Sequence, residues 1–480
     1  MAANKMEAVD AVWIILSAFI VFTMQTGFAL LESGLVSMKS KTNIMVKSVL
    51  DVCFGSVAYW FIGYGISFGS DASTGNSFSG NGQFMTDVDV STDAKVYIKY
   101  FFQLSFASAS TTIISGAVAE RIHLFAYMIV VILNTGIIYV FPAHWLWDNN
   151  GWLFKKGAHD FAGSGVVHMA GGAAALSTAF IIGPRYGKFD EPKKVYTISS
   201  GSNVILGTFF LWWGWIGFNC GSTFIISNGS WKVASRVAVV TMNGAIAGGI
   251  SGIVFSISLR KKRKYIIDIT ELSSGLLAGV VSITACSDVI RPWEGLFIGF
   301  CGGLIANGTI KLVELMKIDD PVGAFGVHYA AGFWAMIATG FFADMGPGDN
   351  SINGGVFRKG SGRLLAYNIV AILVITIWSG GLNAISFWIV KRTIGVRMSI
   401  DEEKIGVDKI ELNDCNEPDY VSKNAIEVGS SGQINIFSTA TIHSVSSSKK
   451  VKSFQENFSS KKKEPIISTG SFSQLKDTYL

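Results

Sequence analysis

Eleven stretches of this chain are each long and apolar enough to cross a lipid bilayer, and nothing else in the sequence restricts the fold so severely. A helix needs about 20 predominantly apolar residues to span the hydrocarbon core. Lipid offers no partner for a bare backbone N–H or C=O, so runs of this length are confined to helices. They fall at Asp10–Val36, Ser48–Phe68, Lys99–Ala119, Leu124–Ala143, Gly163–Ile182, Ser200–Cys220, Ala234–Leu259, Thr270–Cys286, Gly295–Val313, Gly323–Phe342 and Leu364–Val390. The expected fold class is an all-α polytopic membrane protein. Composition agrees, because 50% of the 480 residues are hydrophobic and 15% are charged, against about 25% charged in soluble chains. A water-soluble core stops growing at roughly 250–300 residues, which excludes an ordinary soluble enzyme. The net charge of +5 marks no nucleic-acid partner. Five cysteines without paired short spacing form neither a zinc site nor a disulfide framework. The 53 glycines, where they lie inside apolar runs, suit close helix packing in lipid.

Basic residues follow odd-numbered spans: Lys39, Lys41 and Lys47 the first, Arg185, Lys188, Lys193 and Lys194 the fifth, Arg260–Lys264 the seventh, and Lys391, Arg392 and Arg397 the last. Cytoplasmic loops carry the excess of Lys and Arg, so the amino terminus is expected outside and the carboxyl terminus in the cytosol. Lys155 and Lys156 run against that rule, while the Asp-rich loop after the second span and an Asn228-Gly229-Ser230 glycosylation triplet fit the outer face. The first apolar run is too long for a signal peptide and carries acidic flanks at Glu7 and Asp10, so it is expected to be a true span. Residues 1–397 are expected to form the membrane domain. Residues 398–480, Ser- and Lys-rich, are expected to form a cytosolic and largely disordered tail.

Two segments repeat at a fixed offset. Asp160-Phe-Ala-Gly-Ser-Gly-Val-Val-His168-Met-Ala-Gly-Gly172 matches Asp320-Pro-Val-Gly-Ala-Phe-Gly-Val-His328-Tyr-Ala-Ala-Gly332 in its Asp, Gly, Val, His and Ala positions. They open the fifth and tenth spans, which run in opposite directions, so five plus five helices in an inverted repeat, followed by one more, is the expected plan. The twofold relation puts His168 and His328 at similar depth. Histidine is costly in lipid and is expected to face a cavity with a task, although a hydrogen-bonded structural role is the plainer alternative. Asp160 and Asp320 precede helix starts, where a carboxylate caps exposed N–H groups. Asp160 is also placed to supply negative potential near a cation path.

Aromatic clusters flank this pair: Phe101-Phe102-Gln103-Leu104-Ser105-Phe106, His144-Trp145-Leu146-Trp147, and Trp212-Trp213-Gly214-Trp215-Ile216-Gly217-Phe218-Asn219 with Ser222. A ring face attracts a desolvated cation by roughly 0.5–2 kcal/mol, and a serine hydroxyl accepts one hydrogen bond from it. Such a site collects a small cation, but carrying that charge bare through a dry pore costs several kcal/mol or more. The charge must therefore part from the substrate.

The stretch from Asp160-Phe-Ala-Gly-Ser to Gly183-Pro184-Arg185, with Glu32-Ser33-Gly34, Ala117-Val-Ala-Glu-Arg121, Gly217-Phe218-Asn219 and Phe325-Gly-Val-His328, resembles the ammonium transporter family of eukaryotic type, the Amt and Mep proteins and their Rh relatives, over Asp10–Val390. The resemblance implies eleven helices, a homotrimer with one pore per protomer in a bilayer such as the plasma membrane, and ammonium or ammonia as the transported partner, with no enzymatic activity, metal or cofactor. Trp147, Ser222 and Phe106 would then bind ammonium at the outer mouth with support from Asp160. Phe106 and Phe218 would form a stacked gate, Trp215 would line the pore below it, and His168 and His328 would be the twin histidines. The tail departs from the family pattern at Glu411-Leu-Asn-Asp-Cys-Asn-Glu417. The expected function is electrogenic ammonium transport, with the proton relayed by the histidine pair near its ordinary pKa of about 6.5. A neutral gas channel of the Rh type and an ammonium sensor share the same histidines. A membrane electron-transfer protein with both histidines on haem is the rival from another class.

Overall fold

The structure is a computed structural model, and it describes residues 6–69, 75–191, 196–259, 266–346 and 353–413 together with the short pieces 427–428 and 434–435. Lys193, Lys194, Arg260–Lys264, Cys415 and the Ser/Lys-rich segments of the tail lie outside the described residues. The chain divides into Met1–Asn416 and Glu417–Leu480; the described part of the second unit is an antiparallel pair, Glu427–Val428 with Ile434–Asn435.

The first unit is helical. In chain order its long helices are α1 (Ala8–Leu35), α2 (Met38–Phe68), α3 (Lys95–Ala117), α4 (Leu124–Lys156), α5 (Ser164–Ile182), α6 (Gly201–Gly221), α7 (Trp231–Leu259), α8 (Ile269–Thr284), α9 (Pro292–Leu315), α10 (Phe325–Phe342) and α11 (Arg363–Thr393). Nine of these are long and apolar enough to cross a membrane. The other two are α3, rich in Ser and Thr and buried along most of its length, and α8, which has 16 residues. Large apolar side chains such as Phe180 and Ile377 face outward, as lipid-facing residues of a bundle do. This is a multi-pass membrane protein.

Local chemistry sets the helix ends. Asp268 accepts from the N–H of Thr270 to start α8, and α9 opens with Pro292 and a Glu294 carboxylate that accepts from the N–H of Arg291. Proline loses nothing at a first turn, where its missing N–H has no helical partner. The sequence pattern does not reveal the irregular turns. Five helices contain a π-helical turn, at Tyr59–Gly63, Asn134–Ile138, Ser164–Met169, Phe325–Ala330 and Thr376–Gly380. Two of these carry the histidines, in keeping with the frequent use of such turns at functional sites.

Packing follows the small residues. Helices α7, α8 and α9 meet on glycine: a Cβ at Gly248 would lie 2.7 Å from the Cα of Gly279, and one at Gly299 would lie 2.7 Å from the Cα of Gly244. Helix α1 lies along α6 in the same manner, with Gly207 against the backbone of Leu31. Helices α5 and α10 cross at the centre, where the O of Ser164 and Met169 of one pack on Gly332 of the other. Past α11, Ile400–Ile405 and Val407–Leu412 are also helical and close one end of the bundle. There the Asp408 carboxylate accepts from the N–H groups of Thr42 and Asn43 at 2.9 and 2.7 Å, and Glu411 accepts from the N–H of Leu124 at 3.0 Å. This end is called the tail face.

Candidate functional site: an aromatic vestibule above a histidine pair

Both repeat segments enter their helices in the same way. Gly163 and Gly323 take positive φ values of 104° and 71°, which a side chain resists. Each is followed by a π-helical turn that ends in or just beyond the histidine. The Asp160 carboxylate accepts from the N–H groups of Gly163, Gly165 and Val166 at 2.9–3.0 Å. Asp320 accepts from Phe325 at 2.9 Å through one oxygen, and its other oxygen has no partner among the described residues. The two histidines meet as the repeat predicts. Nδ1 of His168 lies 3.2 Å from Nδ1 of His328, with the rings 18° from parallel. Only one proton fits between two such nitrogens, so one ring donates and the other accepts.

The aromatic residues gather on one side of this pair. Phe106 of α3 and Phe218 of α6 stack at 3.8 Å and 18°. Trp215, one turn before Phe218, stacks on His168 at 5.0 Å and donates its indole N–H to Thr284 Oγ1 of α8. Beyond the Phe stack lies a cavity of 460 Å³ whose walls include Phe106, Trp147, Asp160 and Ser222. Trp147 stands edge-on to Phe106 at 5.9 Å, held by an N–H bond to the carbonyl of Asp160. The Ser222 hydroxyl donates to the carbonyl of Phe218, which leaves its lone pairs to accept. Asp160 lines the cavity with its oxygens committed to backbone N–H groups. Burial pushes its carboxyl above the usual carboxylate range, opposed by those three backbone donors and by His159.

Other members of the sequence clusters have different roles. His144 bonds the carbonyls of Ser67 and Asn76, and Trp145 bonds that of Phe78, so both hold a loop. Trp213 is exposed and Phe101 packs on Phe19 and Phe22. The structure adds Phe102, Phe224, Gln103, His159 and Lys99 to the cavity wall, with Lys99 lying 4.4 Å over the ring of Phe68. Of these only Phe102 and Gln103 were singled out by the sequence pattern. Phe224 and Lys99 come from a turn and from a helix start that carry no distinctive signal.

Towards the tail face a second cavity, of 290 Å³, is lined by Asp268, Glu271, Glu314, Asp319 and Asp320 alongside Arg185, Lys188 and Lys311. Arg185, counted in the sequence as a loop cation, is buried and ion-paired to Asp319 at 2.7 Å and to Glu120 at 2.5 Å. Burial favours a neutral Asp319, but hydrogen bonds and charge from Arg185, with Arg121 behind it, hold its carboxyl far below the usual range. At the vestibule end His159 pairs with Asp288 at 3.0 Å. Burial works against the charged imidazole there, and the Asp288 carboxylate outweighs it, so the His159 pKa rises.

A model of the Ammonium Transporter Family matches residues 12–417. The chain belongs to the ammonium transporter family. It is 39% identical over 424 residues to the Caenorhabditis elegans relative designated ammonium transporter 3, a match that covers 85% of this chain and 60% of that one. It is 34% identical to ammonium transporter Amt2 of Archaeoglobus fulgidus, covering 87% of this chain and 90% of the relative. Among solved structures, a sensor Amt protein superposes with a TM-score of 0.76 at 32% identity, covering 84% of this chain and 98% of that one. Mep2 of Saccharomyces cerevisiae gives 0.73 at 25%, covering 83% and 89%. As a member of that family the protein is a transporter and not an enzyme.

Proposed function

We propose that this transporter captures ammonium as a cation in the aromatic vestibule, parts it from its proton at the Phe stack with Nε2 of His168 as the acceptor, and passes ammonia and proton separately to the tail face. The observation that carries this reading is the stacking of Phe106 on Phe218 at 3.8 Å between the 460 Å³ cavity and the paired histidines. Rings in contact leave no passage for a hydrated ion. In the vestibule Trp147 and Phe106 offer aromatic ring faces, and Ser222 offers a hydroxyl acceptor, to a partly desolvated cation. Past the rings a neutral ammonia molecule pays little desolvation, whereas an unpaired charge costs several kcal/mol.

The histidine pair supplies the other path. Nε2 of His168 has no partner among the described residues. A proton added there allows the Nδ1 proton to cross 3.2 Å to His328, and His328 then releases its own Nε2 proton. One proton enters and one leaves, with the two tautomers exchanged and reset before the next turnover. The chain is read as eleven spans, a 5+5 inverted repeat plus one, in a homotrimer of the plasma membrane. The vestibule is the outer mouth, residues 1–397 are the membrane domain, and residues 398–480 are a cytosolic tail. The matched geometry of the two histidine segments and the placement of basic residues support that reading.

The test is the current carried by purified protein in liposomes after an ammonium pulse, compared with the variant His168→Ala/His328→Ala. A wild-type current that the double variant loses is the expected result. A wild type without current that still changes internal pH through ammonia is instead a neutral channel.

A further inference from the structure

Beneath His328 lies a cavity of 20 Å³, walled by Phe28, Glu32, Ser273, Val327 and His328 among others. That volume holds about one water molecule. Glu32 and His328 are its two titratable lining residues, and the Ser273 hydroxyl, also on its wall, is buried without a partner among the described residues. The volume admits a single water, which would satisfy that hydroxyl beside the imidazole and the carboxylate.

Glu32 sits in the last turns of α1, 2% exposed, and accepts a short hydrogen bond from the Ser115 hydroxyl of α3. A carboxyl at this depth is costly and calls for a task. Charged neighbours of both signs act on it, Lys47 together with Asp51 and Asp320. The small cavity shares the side chains of Thr270 and Ser274 with the 290 Å³ acidic cavity that opens at the tail face, where Asp320 also lies.

We propose that Glu32 is the proton acceptor below the histidine pair, an inference that rests on the charge-separating reading above. The proton leaves His328 through the water of the small cavity and binds the Glu32 carboxylate. Glu32 then releases it into the acidic cavity and returns to the carboxylate form for the next turnover. Ammonia, already neutral, needs no such acceptor. The two products of deprotonation therefore separate again at the exit, and one residue governs only one of them.

The experiment uses the full chain in liposomes, reading current after an ammonium chloride jump and, in parallel, ammonia-driven alkalinisation with an internal pH dye. Glu32→Gln is expected to cut the current by about 10-fold or more, as loss of a positioned proton carrier does, while alkalinisation falls far less. Glu32→Asp, one methylene shorter but still acidic, restores a measurable part of the current. A Glu32→Gln current equal to wild type overturns the proposal. So does an equal loss of current and alkalinisation in both variants, which would make Glu32 structural. A wild type that alkalinises the liposome without current removes the charge-separating reading itself, and the role of Glu32 with it.

Discussion

The segments around His168 and His328 share a motif, a capping aspartate, a positive-φ glycine and a π-helical turn, yet they differ in almost everything that touches them. Asp160 is saturated by three backbone N–H groups, whereas Asp320 uses one oxygen and leaves the other without a partner among the described residues. His168 is sealed under Trp215 and Phe218, whereas His328 borders a small, mostly apolar cavity that it shares with Glu32. The residue before each aspartate diverges as well. His159 pairs with Asp288 at the vestibule end, and Asp319 pairs with Arg185 at the tail face. The shared motif brings the two rings together, and the surroundings decide whether that half meets an aromatic cluster or a cavity lined by carboxylates.

The strongest way to break the comparison is at the ion pairs. Asp319→Ala leaves Arg185 buried with half its partners gone, and removal of one member of a buried pair costs about 3–5 kcal/mol. His159→Ala, at a wetter site, is expected to cost clearly less. Thermal unfolding in detergent, followed by tryptophan fluorescence, ranks the two. The aspartates come next. Asp160→Ala strands three N–H groups and Asp320→Ala those of Phe325 and Ala324, so a loss of about 2–3 kcal/mol is expected for the first and about 1–2 kcal/mol for the second. Equal losses would mean that the caps are equivalent despite their geometry.

The smallest effect is the pH dependence, and it has opposite signs at the two ends. Asp319 has its pKa lowered on folding, so its contribution is complete above the ordinary carboxylate value of about 3.9 and is lost as pH falls through the lower folded value. His159 has its pKa raised, so its contribution is complete below about 6.5 and is lost as pH rises through the folded value. Asp319→Asn should flatten the acid limb of stability against pH, and His159→Gln the neutral-to-alkaline limb. A variant that flattens the wrong limb would reassign the pairs.

The meeting of His168 with His328 is legible in the chain because two segments recur at one offset with the histidine at the same place in each. The aromatic cluster was half legible. Trp147 and Trp215 point to the axis, but His144 and Trp145 bond a loop more than 65 residues earlier in the chain, which no local pattern encodes. Arg185 read as one more loop cation because its partners Glu120 and Asp319 are 65 and 134 residues away. Glu32 stands out in the sequence only through its motif, since its closeness to His328 arises in the folded bundle. The helices past α11 are invisible in the sequence pattern because six-residue helices carry too little periodicity to detect, and Asp408 and Glu411 find their N–H partners only in the folded bundle.

The glycine contacts among α7, α8 and α9 have a kinetic consequence. With backbones touching where any Cβ would collide, these three helices have no slack in which to slide or tilt. They also hold Thr284 against Trp215 and the carbonyl of Val281 against Ser164. Collective helix motions take microseconds to milliseconds, while side-chain rotations take picoseconds to nanoseconds. A wall locked in this way leaves the fast movements to the rings and hydroxyls packed against it.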